Sequence, residues 1–195
     1  MFLMSEVKKV WNNPELIKLI KQGGVAVIPT DTVYGIVGIA LLQETVLRIY
    51  KIKGRDADKP CIILIGDISE IKKFHINISK EQKNYLNKIW KDSLRPISVI
   101  LDCPSPLFAY LHRNTNTLAF RLPSNRLLRE FLLRTGPLVA PSANIQNMPP
   151  AKNIKEAKKY FGNSVGLYID GDSAKGTASR IVKLNRDGST SIIRE

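Results

Sequence analysis

Apolar runs of two kinds alternate along the chain and predict a mixed α/β fold. Short β-branched runs bounded by glycine, proline or polar clusters are typical of strands, and longer segments with apolar residues three and four apart are typical of helices. A hairpin turn is predicted at 185–188. We predict strands at 25–28, 34–40, 61–65, 97–101, 117–122, 138–140, 167–169, 181–184 and 191–194.

Capping residues and glycines mark where the predicted helices begin and end. Asn, Ser and Thr side chains favour helix starts, proline favours the first turn, and glycine favours the position after the last turn. Ser79 and Gln82 have the spacing of a capping box. The first helix is predicted to start at Pro14 after an Asn13 cap and to be closed by Gly23, and the second to span Leu42 to Lys53 with Gly54 as the stop. The other three are predicted from Ser79 to about Trp90, from the Ser124 cap to Gly136 and from Asn153 to Gly162.

Strands and helices alternate irregularly in this pattern. The fold class that we expect is α/β, a twisted mixed open sheet with flanking helices and not a strictly doubly wound one. The 195 residues contain no internal repeat, low-complexity segment or linker. We therefore predict a single domain over residues 1–195.

The composition indicates a globular protein and gives no sign of a membrane span or a signal peptide. Hydrophobic residues make up 44% and charged residues 24%, as in globular proteins. No apolar stretch approaches the roughly 20 residues that a membrane span needs, so we expect no membrane partner. Cys61 and Cys103 show no pairing pattern, and residues 1–6 lack the features of a signal peptide. A cytoplasmic location is the prediction that follows.

The net charge of +13 favours an anionic partner such as a nucleotide, a polyphosphate or RNA. The abundance of lysine, isoleucine and asparagine equally fits a genome-wide coding bias. The chain has no arginine-rich tail, no zinc-ligand spacing and no aromatic stacking signature. Charge therefore predicts affinity for anions and does not by itself predict the reading of a nucleic-acid sequence.

Polar residues crowd the end of the first predicted strand. Pro29 ends the apolar run, and Thr30, Asp31, Thr32 and Tyr34 follow within five positions. Open α/β sheets bind ligands at strand ends, so these groups are candidates for a small-molecule pocket. Thr and Asp are also ordinary turn residues, and a tight turn remains the alternative.

Cations surround the glycine that follows the second predicted helix. Lysines in a last helical turn are favoured by the helix dipole, which accounts for Lys51 and Lys53. The dipole does not account for Arg55 and Lys59, which stand in the loop before a strand. A guanidinium and an ammonium together suit a polyphosphate or a carboxylate. The alternative is a solvated charged loop.

Two further strands carry candidate site residues. Arg121 belongs to an otherwise apolar strand, where burial is costly unless the charge is paired or faces a ligand; exposure at a sheet edge is the alternative. Ser142 and Asn144 follow the strand at 138–140 and could orient a phosphate or hydroxyl oxygen. A nucleophilic role for Ser142 lacks support, because His75 and His112 show no triad pattern. We expect both histidines at the surface or in loops.

In this order the motifs resemble those of the threonylcarbamoyl-AMP synthase family, also called TsaC or YrdC. The combination is specific although no single piece is, and it covers nearly the whole chain. The pieces are PTDTVYG at 29–35, KGR at 53–55 with KP at 59–60, TLAFRLP at 117–123, APSAN at 140–144, SRIV at 179–182 and IIR at 192–194. The resemblance implies a YrdC-like open α/β sheet with a basic concave cleft, in the short form of the family.

The resemblance also implies a reaction, in which L-threonine, bicarbonate and ATP give L-threonylcarbamoyladenylate and pyrophosphate. The product would serve N6-threonylcarbamoyladenosine formation on tRNA with partner proteins, and tRNA itself would bind weakly through charge. ATP would bring Mg²⁺ as a cofactor; no metal ligand is assigned, although Asp31 could reach Mg²⁺ through water. The implied roles are catalytic for Lys53 and Arg55, threonine binding for Thr32, Arg121, the Ala140 backbone and Ser179, and ATP binding for Arg55, Lys59, Thr117, Ser142, Asn144 and Arg194.

The chain departs from the family pattern at several positions. Asp56 stands where a proline commonly follows the arginine, and the segment 146–150 lacks the usual Ser-Gly. The segment 95–98 replaces a usual Gly-Pro-x-Thr, and Arg180 and Lys183 replace a common Thr and Asp. The alternative function is a basic RNA-binding module without catalysis. A domain of the hydrogenase-maturation carbamoyltransferase is a weaker alternative, because the zinc-type cysteine pairs of that protein are missing here.

Overall fold

A computed structural model describes residues 10–171 and 176–195, so the prediction made on residues 1–6 lies outside the described part of the chain. The helices are α1 (Pro14–Lys21), α2 (Gln43–Lys53), α3 (Lys80–Asp92), α4 (Ala109–His112), α5 (Arg126–Thr135) and α6 (Ile154–Phe161). Short 3₁₀ helices span Ile68–Phe74, Pro106–Phe108 and Gly162–Ser164. The strands are β1 (Ala26–Ile28), β2 (Gly35–Ile39), β3 (Ile62–Leu64), β4 (Ile97–Asp102), β5 (Thr117–Arg121), β6 (Leu138–Val139), β7 (Leu167–Tyr168), β8 (Arg180–Leu184) and β9 (Thr190–Arg194).

These strands form one twisted mixed sheet in the order β7-β1-β2-β6-β3-β5-β4-β8-β9. The pairs β1–β7, β3–β5 and β4–β8 are parallel, and the remaining neighbours are antiparallel. This arrangement confirms the predicted mixed α/β class. In the described ranges, no helix has the length and apolar character that crossing a membrane requires.

The first strand is buried on both faces, which explains its unbroken apolar run. Because successive side chains of a strand point to opposite faces, Val27 and Ile28 belong to different core clusters. Val27 shares its cluster with Ile49 of α2, whereas Ile28 shares the other with Leu16 of α1 and Phe131 of α5. Helices therefore cover both faces of the sheet at this end.

Farther along the sheet, one face carries a polar cavity. β5 turns Leu118 and Phe120 into the core, so Arg121 lies on the opposite face. Arg121 is paired in register with Leu64, which belongs to the core cluster of α1 and α5, while Ile62 on the same face lines the cavity. The cavity thus borders the region that α5 covers.

The predicted strands agree with the structure to within one residue at each end. The fourth predicted helix start is wrong, because Asn125 and not Ser124 caps α5: its side-chain oxygen accepts the Leu128 amide at 3.1 Å. Helix α4 and the 3₁₀ helix Ile68–Phe74 were not predicted. Both are too short or too irregular to show a helical period.

Candidate functional site

The polar cavity has a volume of about 410 Å³, within the range of small-molecule sites. Its lining includes three arginines and one lysine, with Asp58 as the carboxylate among the described lining residues. Eight predicted site residues line it: Thr32, Arg55, Lys59, Arg121, Ala140, Ser142, Ser179 and Arg194. Three predicted site residues, Lys53, Thr117 and Asn144, lie outside this lining.

The turn after β1 is built by its own hydroxyls. Thr30 donates from Oγ1 to the Val33 carbonyl at 2.7 Å and accepts the Thr32 amide at 3.2 Å. The Thr30 and Thr32 hydroxyl oxygens are 3.0 Å apart, and Thr32 is buried at the cavity wall. The tight turn and the small-molecule pocket that were alternatives for this segment are therefore compatible. Thr30 forms the turn, and the turn places Thr32 at the pocket wall.

A buried ion pair lies beside this turn. The Arg121 guanidinium donates to the Asp31 carboxylate at 2.9 Å, and the two side chains are 5% and 6% exposed. Burial lowers the pKa of Arg121, although the Asp31 charge opposes that shift. The Arg121 Nε–H has no hydrogen-bond partner among the described residues. Asp31 is thus engaged by Arg121 through one of its carboxylate oxygens, and its suggested role as a water-mediated magnesium ligand stays a prediction.

In the loop that follows α2, backbone carbonyls accept hydrogen bonds from nearby side chains, which fix the conformation of the loop. Gly54 adopts the left-handed conformation (φ 58°) that ends the helix. Arg55 donates from Nε to the Lys59 carbonyl at 3.0 Å and from its terminal nitrogen to the Pro60 carbonyl at 2.9 Å. The Tyr50 hydroxyl also donates to the Lys59 carbonyl, at 2.7 Å, and burial raises its pKa to about 12. We call residues 54–60 the cationic loop.

Lys53 does not line the cavity, but it binds the backbone of a loop that does. It is 2% exposed, and its ammonium donates to the carbonyls of Ser142 and, at 2.6 Å, of Asn144. Burial lowers its pKa to about 8, and the nearby Arg55 charge adds to that shift. Lys53 therefore fixes the position of the loop that carries Ser142.

Asn144 lies outside the cavity lining and stabilises the same loop through its side chain. Its side-chain nitrogen Nδ2 donates to the carbonyls of Ile145 and Met148, and its side-chain oxygen accepts a hydrogen bond from the Ser142 hydroxyl at 2.6 Å. Its side-chain polar groups are thus engaged within the loop. Asn144 orients the Ser142 hydroxyl, which lies at the cavity wall.

The last two strands supply another part of the wall. The Ser179 hydroxyl is buried and lies 2.8 Å from the Ser98 hydroxyl of β4. Arg194 of β9 donates to the Ser179 carbonyl at 2.7 Å. Thr117 is farther away, at the start of β5, where its hydroxyl lies 3.0 Å from that of Thr115.

Sequence reasoning missed a contact that links the two loops of the site. The side-chain oxygen of Gln146 accepts the Asp56 amide at 2.6 Å, and the Gln146 amide donates to the Lys53 carbonyl at 2.9 Å. Both Asp56 and Gln146 are departures from the family pattern. A proline in place of Asp56 would have no amide to donate, so the paired departures were a signal that could have indicated the contact.

The two histidines have different environments. His75 is exposed, as predicted. His112 is 4% exposed in the last turn of α4, so its predicted surface or loop placement is wrong: helix α4 packs this side chain inward. Neither of its ring nitrogens has a hydrogen-bond partner in the described part of the chain. Cys61 and Cys103 are free and buried, and burial raises the pKa of both thiols.

Metal ligands do not cluster in the described ranges: residues 10–171 and 176–195 contain no group of three His, Cys, Asp or Glu side chains placed to hold an ion. The cavity wall instead combines hydroxyls and cations with apolar residues such as Val33 and Ile62. Such a wall can bind carboxylates and phosphates and can orient two anionic reactants next to each other.

Comparison with known proteins gives this site a family context. A family model named Sua5_yciO_yrdC, described as "Telomere recombination", matches residues 18–195. Threonylcarbamoyl-AMP synthase of Bacillus subtilis (strain 168) is 30% identical over 182 residues, covering 90% of this chain and 52% of that protein. Putative threonylcarbamoyl-AMP synthase of Mycobacterium leprae is 32% identical over 169 residues, covering 86% of this chain and 76% of that protein.

A solved structure extends the comparison to the fold. The crystal structure of P. abyssi Sua5 complexed with L-threonine matches with a TM-score of 0.80 and 26% identity, over 97% of this chain and 54% of that one. The chain thus spans about half the length of the B. subtilis and P. abyssi relatives. Since the family model matches well over half of its residues, the chain belongs to the Sua5/YciO/YrdC family.

Proposed function

We propose that this protein is an L-threonylcarbamoyladenylate synthase, a nucleotidyltransferase that uses L-threonine, bicarbonate and ATP. The observation that carries the proposal is one cavity lined by all four residues predicted for threonine and by four of the six predicted for ATP. The names of the relatives from B. subtilis and M. leprae support the same activity. We further propose that residues 1–195 form one YrdC-like domain, which the continuous nine-stranded sheet supports.

The proposed chemistry requires no protein nucleophile. The threonine amine adds to bicarbonate, which loses water and leaves a carbamate. A carbamate oxygen then attacks the α-phosphorus of ATP, the bond to the β-phosphate oxygen breaks, and pyrophosphate leaves with the electron pair. The protein contributes by orienting the reactants and offsetting their negative charge. Effective molarities from good orientation are worth roughly 7–11 kcal/mol.

For threonine we propose Thr32, Arg121, the Ala140 backbone and Ser179 as the contacts. All four line the cavity, which supports the assignment. The Arg121 Nε–H is buried without a partner among the described residues and so offers a charge-assisted donor for the threonine carboxylate. A L-threonine complex is named for the P. abyssi relative.

For ATP we propose Arg55, Lys59, Ser142 and Arg194 as the contacts at the cavity wall. Lys53 and Asn144 would act by holding the Ser142 loop, and Thr117 stays a predicted ATP contact on the same strand face as Arg121. Magnesium would arrive as part of the MgATP substrate, and Asp31, whose other carboxylate oxygen pairs with Arg121, could contact it through water.

The proposal extends to tRNA modification. The adenylate would pass to partner proteins that complete threonylcarbamoyladenosine on tRNA, and tRNA would bind weakly to the cationic surface. The net charge of +13 supports that attraction. The predicted location is the cytoplasm, where tRNA, ATP and threonine are all present.

The test is pyrophosphate release from ATP by the purified chain, with threonine and bicarbonate supplied together or singly. We expect release only when both are present, with bicarbonate carbon appearing in an adenylate identified by mass spectrometry. Serine in place of threonine serves as the substrate control. No release with all three substrates present would refute the enzyme, and salt-sensitive RNA binding alone would favour the non-catalytic module.

A further inference from the structure

Lys59, a cation of the cavity wall, is paired with a carboxylate of its own loop. Its ammonium lies 2.6 Å from the Asp56 carboxylate, and the two side chains are 58% and 50% exposed. The Lys59 hydrogen bond is the main reason that the pKa of Asp56 lies below its ordinary value. The carboxylate is therefore ionised at neutral pH and competes for the charge that we assign to a phosphate.

The backbone of Asp56 is held by hydrogen bonds, whereas its carboxylate lies at the surface beside Lys59 and Gln146. Its amide donates to Gln146 at 2.6 Å, and its carbonyl accepts the Lys59 amide at 3.3 Å. The Asp56–Lys59 ion pair, in contrast, is solvent-exposed, and exposed pairs contribute little to stability. A phosphate can therefore replace the carboxylate on Lys59 without unfolding the cationic loop.

The neighbouring cation has no such competitor in the described part of the chain. Arg55 donates to the carbonyls of Lys59 and Pro60, and no ion pair to it is present there. Asp56 thus forms an ion pair with one of the two cations in the loop, and its attraction to Arg55 is a smaller contribution. The family pattern, with a proline at this position, would lack the competing carboxylate.

We propose that Asp56 sets the affinity of this site for phosphates by competing with them for Lys59. A triphosphate gains more than a singly charged anion from displacing one carboxylate, because its charge is higher. The same competition would speed the departure of pyrophosphate. This inference rests on the proposed function for the identity of the triphosphate, but the competition itself can be measured without turnover.

The direct test measures tripolyphosphate affinity by titration calorimetry at constant ionic strength. Asp56→Asn removes the charge and keeps the side-chain shape and the amide bonded to Gln146. We expect about threefold to tenfold tighter binding, because the Lys59 charge is no longer engaged by a carboxylate. The matched control is Glu130→Gln, which breaks the exposed Arg126–Glu130 pair on α5 with the same charge change. No residue of α5 is among the described residues that line the cavity.

A double-mutant cycle separates competition for Lys59 from a general charge effect. In a Lys59→Gln background, Asp56→Asn is expected to change tripolyphosphate affinity by less than about twofold. Equal gains in Asp56→Asn and Glu130→Gln, an undiminished gain in the Lys59→Gln background, or no tripolyphosphate binding to any variant would each overturn the proposal. Threonine-dependent pyrophosphate release by the unmodified protein is scored separately, so the proposed function can fail while the competition stands, and the reverse.

Discussion

At the scale of single residues, buried cations determine the geometry of the site, and each is offset by specific acceptors. Arg121 pairs with Asp31, and Lys53 donates to two backbone carbonyls. Removing one partner of such a contact leaves the other buried without compensation, which costs more than the contact itself contributes. These residues therefore affect stability and site geometry together.

Lys53→Met is expected to lower the free energy of unfolding by about 2–4 kcal/mol at pH 7, because two buried carbonyls lose their donor. Urea unfolding measures the change. The matched control is Lys51→Met, an exposed lysine in the same helix, which we expect to be nearly neutral.

The same variant carries a pH dependence whose sign follows from the lowered pKa of Lys53. Between about 8 in the folded state and the ordinary 10.5, the unfolded chain binds the proton and the folded chain does not. Stability of the unmodified protein therefore rises with pH across this window, by up to about 1.4 kcal/mol per pH unit, and is independent of this group below it. The deficit of Lys53→Met should grow between pH 7 and 9.5. A deficit that stays constant would show that Lys53 does not titrate there.

At the scale of elements, the site is built by loops that follow strands and a helix, and those loops are tied to one another. The cationic loop is bonded to the Ser142 loop through Gln146, and Lys53 joins the end of α2 to the same loop. A substitution that shifts one loop should therefore also change the conformation of the other.

Arg55→Ala is expected to lower turnover at least about tenfold while the fold survives. Arg55 hydrogen-bonds the carbonyls of the cationic loop and lines the cavity, and its ring contact among the described residues is with Tyr50, 5.8 Å from the ring centre at the edge of the core. Lys at this position keeps the charge but lacks the fork that spans two carbonyls, so Arg55→Lys should be intermediate. Steady-state kinetics gives the effect, thermal unfolding checks the fold, and Arg126→Ala on α5 is the control. Unchanged turnover and ATP affinity would mean that the phosphate site lies elsewhere.

At the scale of the whole molecule, 30 basic and 17 acidic residues give a net charge of +13. Of the residues that the structure describes, the lining of the cavity contains only three arginines, one lysine and one aspartate from this set. The remaining excess lies outside it and can attract a polyanion. The chain therefore offers one enclosed site for small anions and a broader surface for a large one.

We expect weak tRNA binding that falls steeply as salt rises from about 50 to about 200 mM, because bound counterions are released from the RNA. Fluorescence anisotropy with labelled tRNA measures the slope of log affinity against log salt. Affinity that is independent of salt, or absent at low salt, would exclude this electrostatic interaction.

Local patterns were enough to predict most elements and most of the cavity wall. Strand ends, the Asn13 cap and the Ser79 capping box depend on neighbours a few residues apart, so they are visible in the chain itself. The family motifs named eight residues that one cavity brings together. Helix α4 and the Asn125 cap escaped prediction because their signals span too few residues.

The mixed α/β class, the order of elements along the chain and the chemical types available to the site follow from periodicity and capping, which are short-range. The roles of those groups depend instead on contacts between distant segments. Asp31 meets Arg121 across 90 positions, and Lys53 meets Asn144 across 91. Which partner satisfies a buried charge depends on which distant segments fold against each other. For that reason the inward orientation of Lys53, the burial of His112 and the bond between Asp56 and Gln146 could be found only in the folded chain.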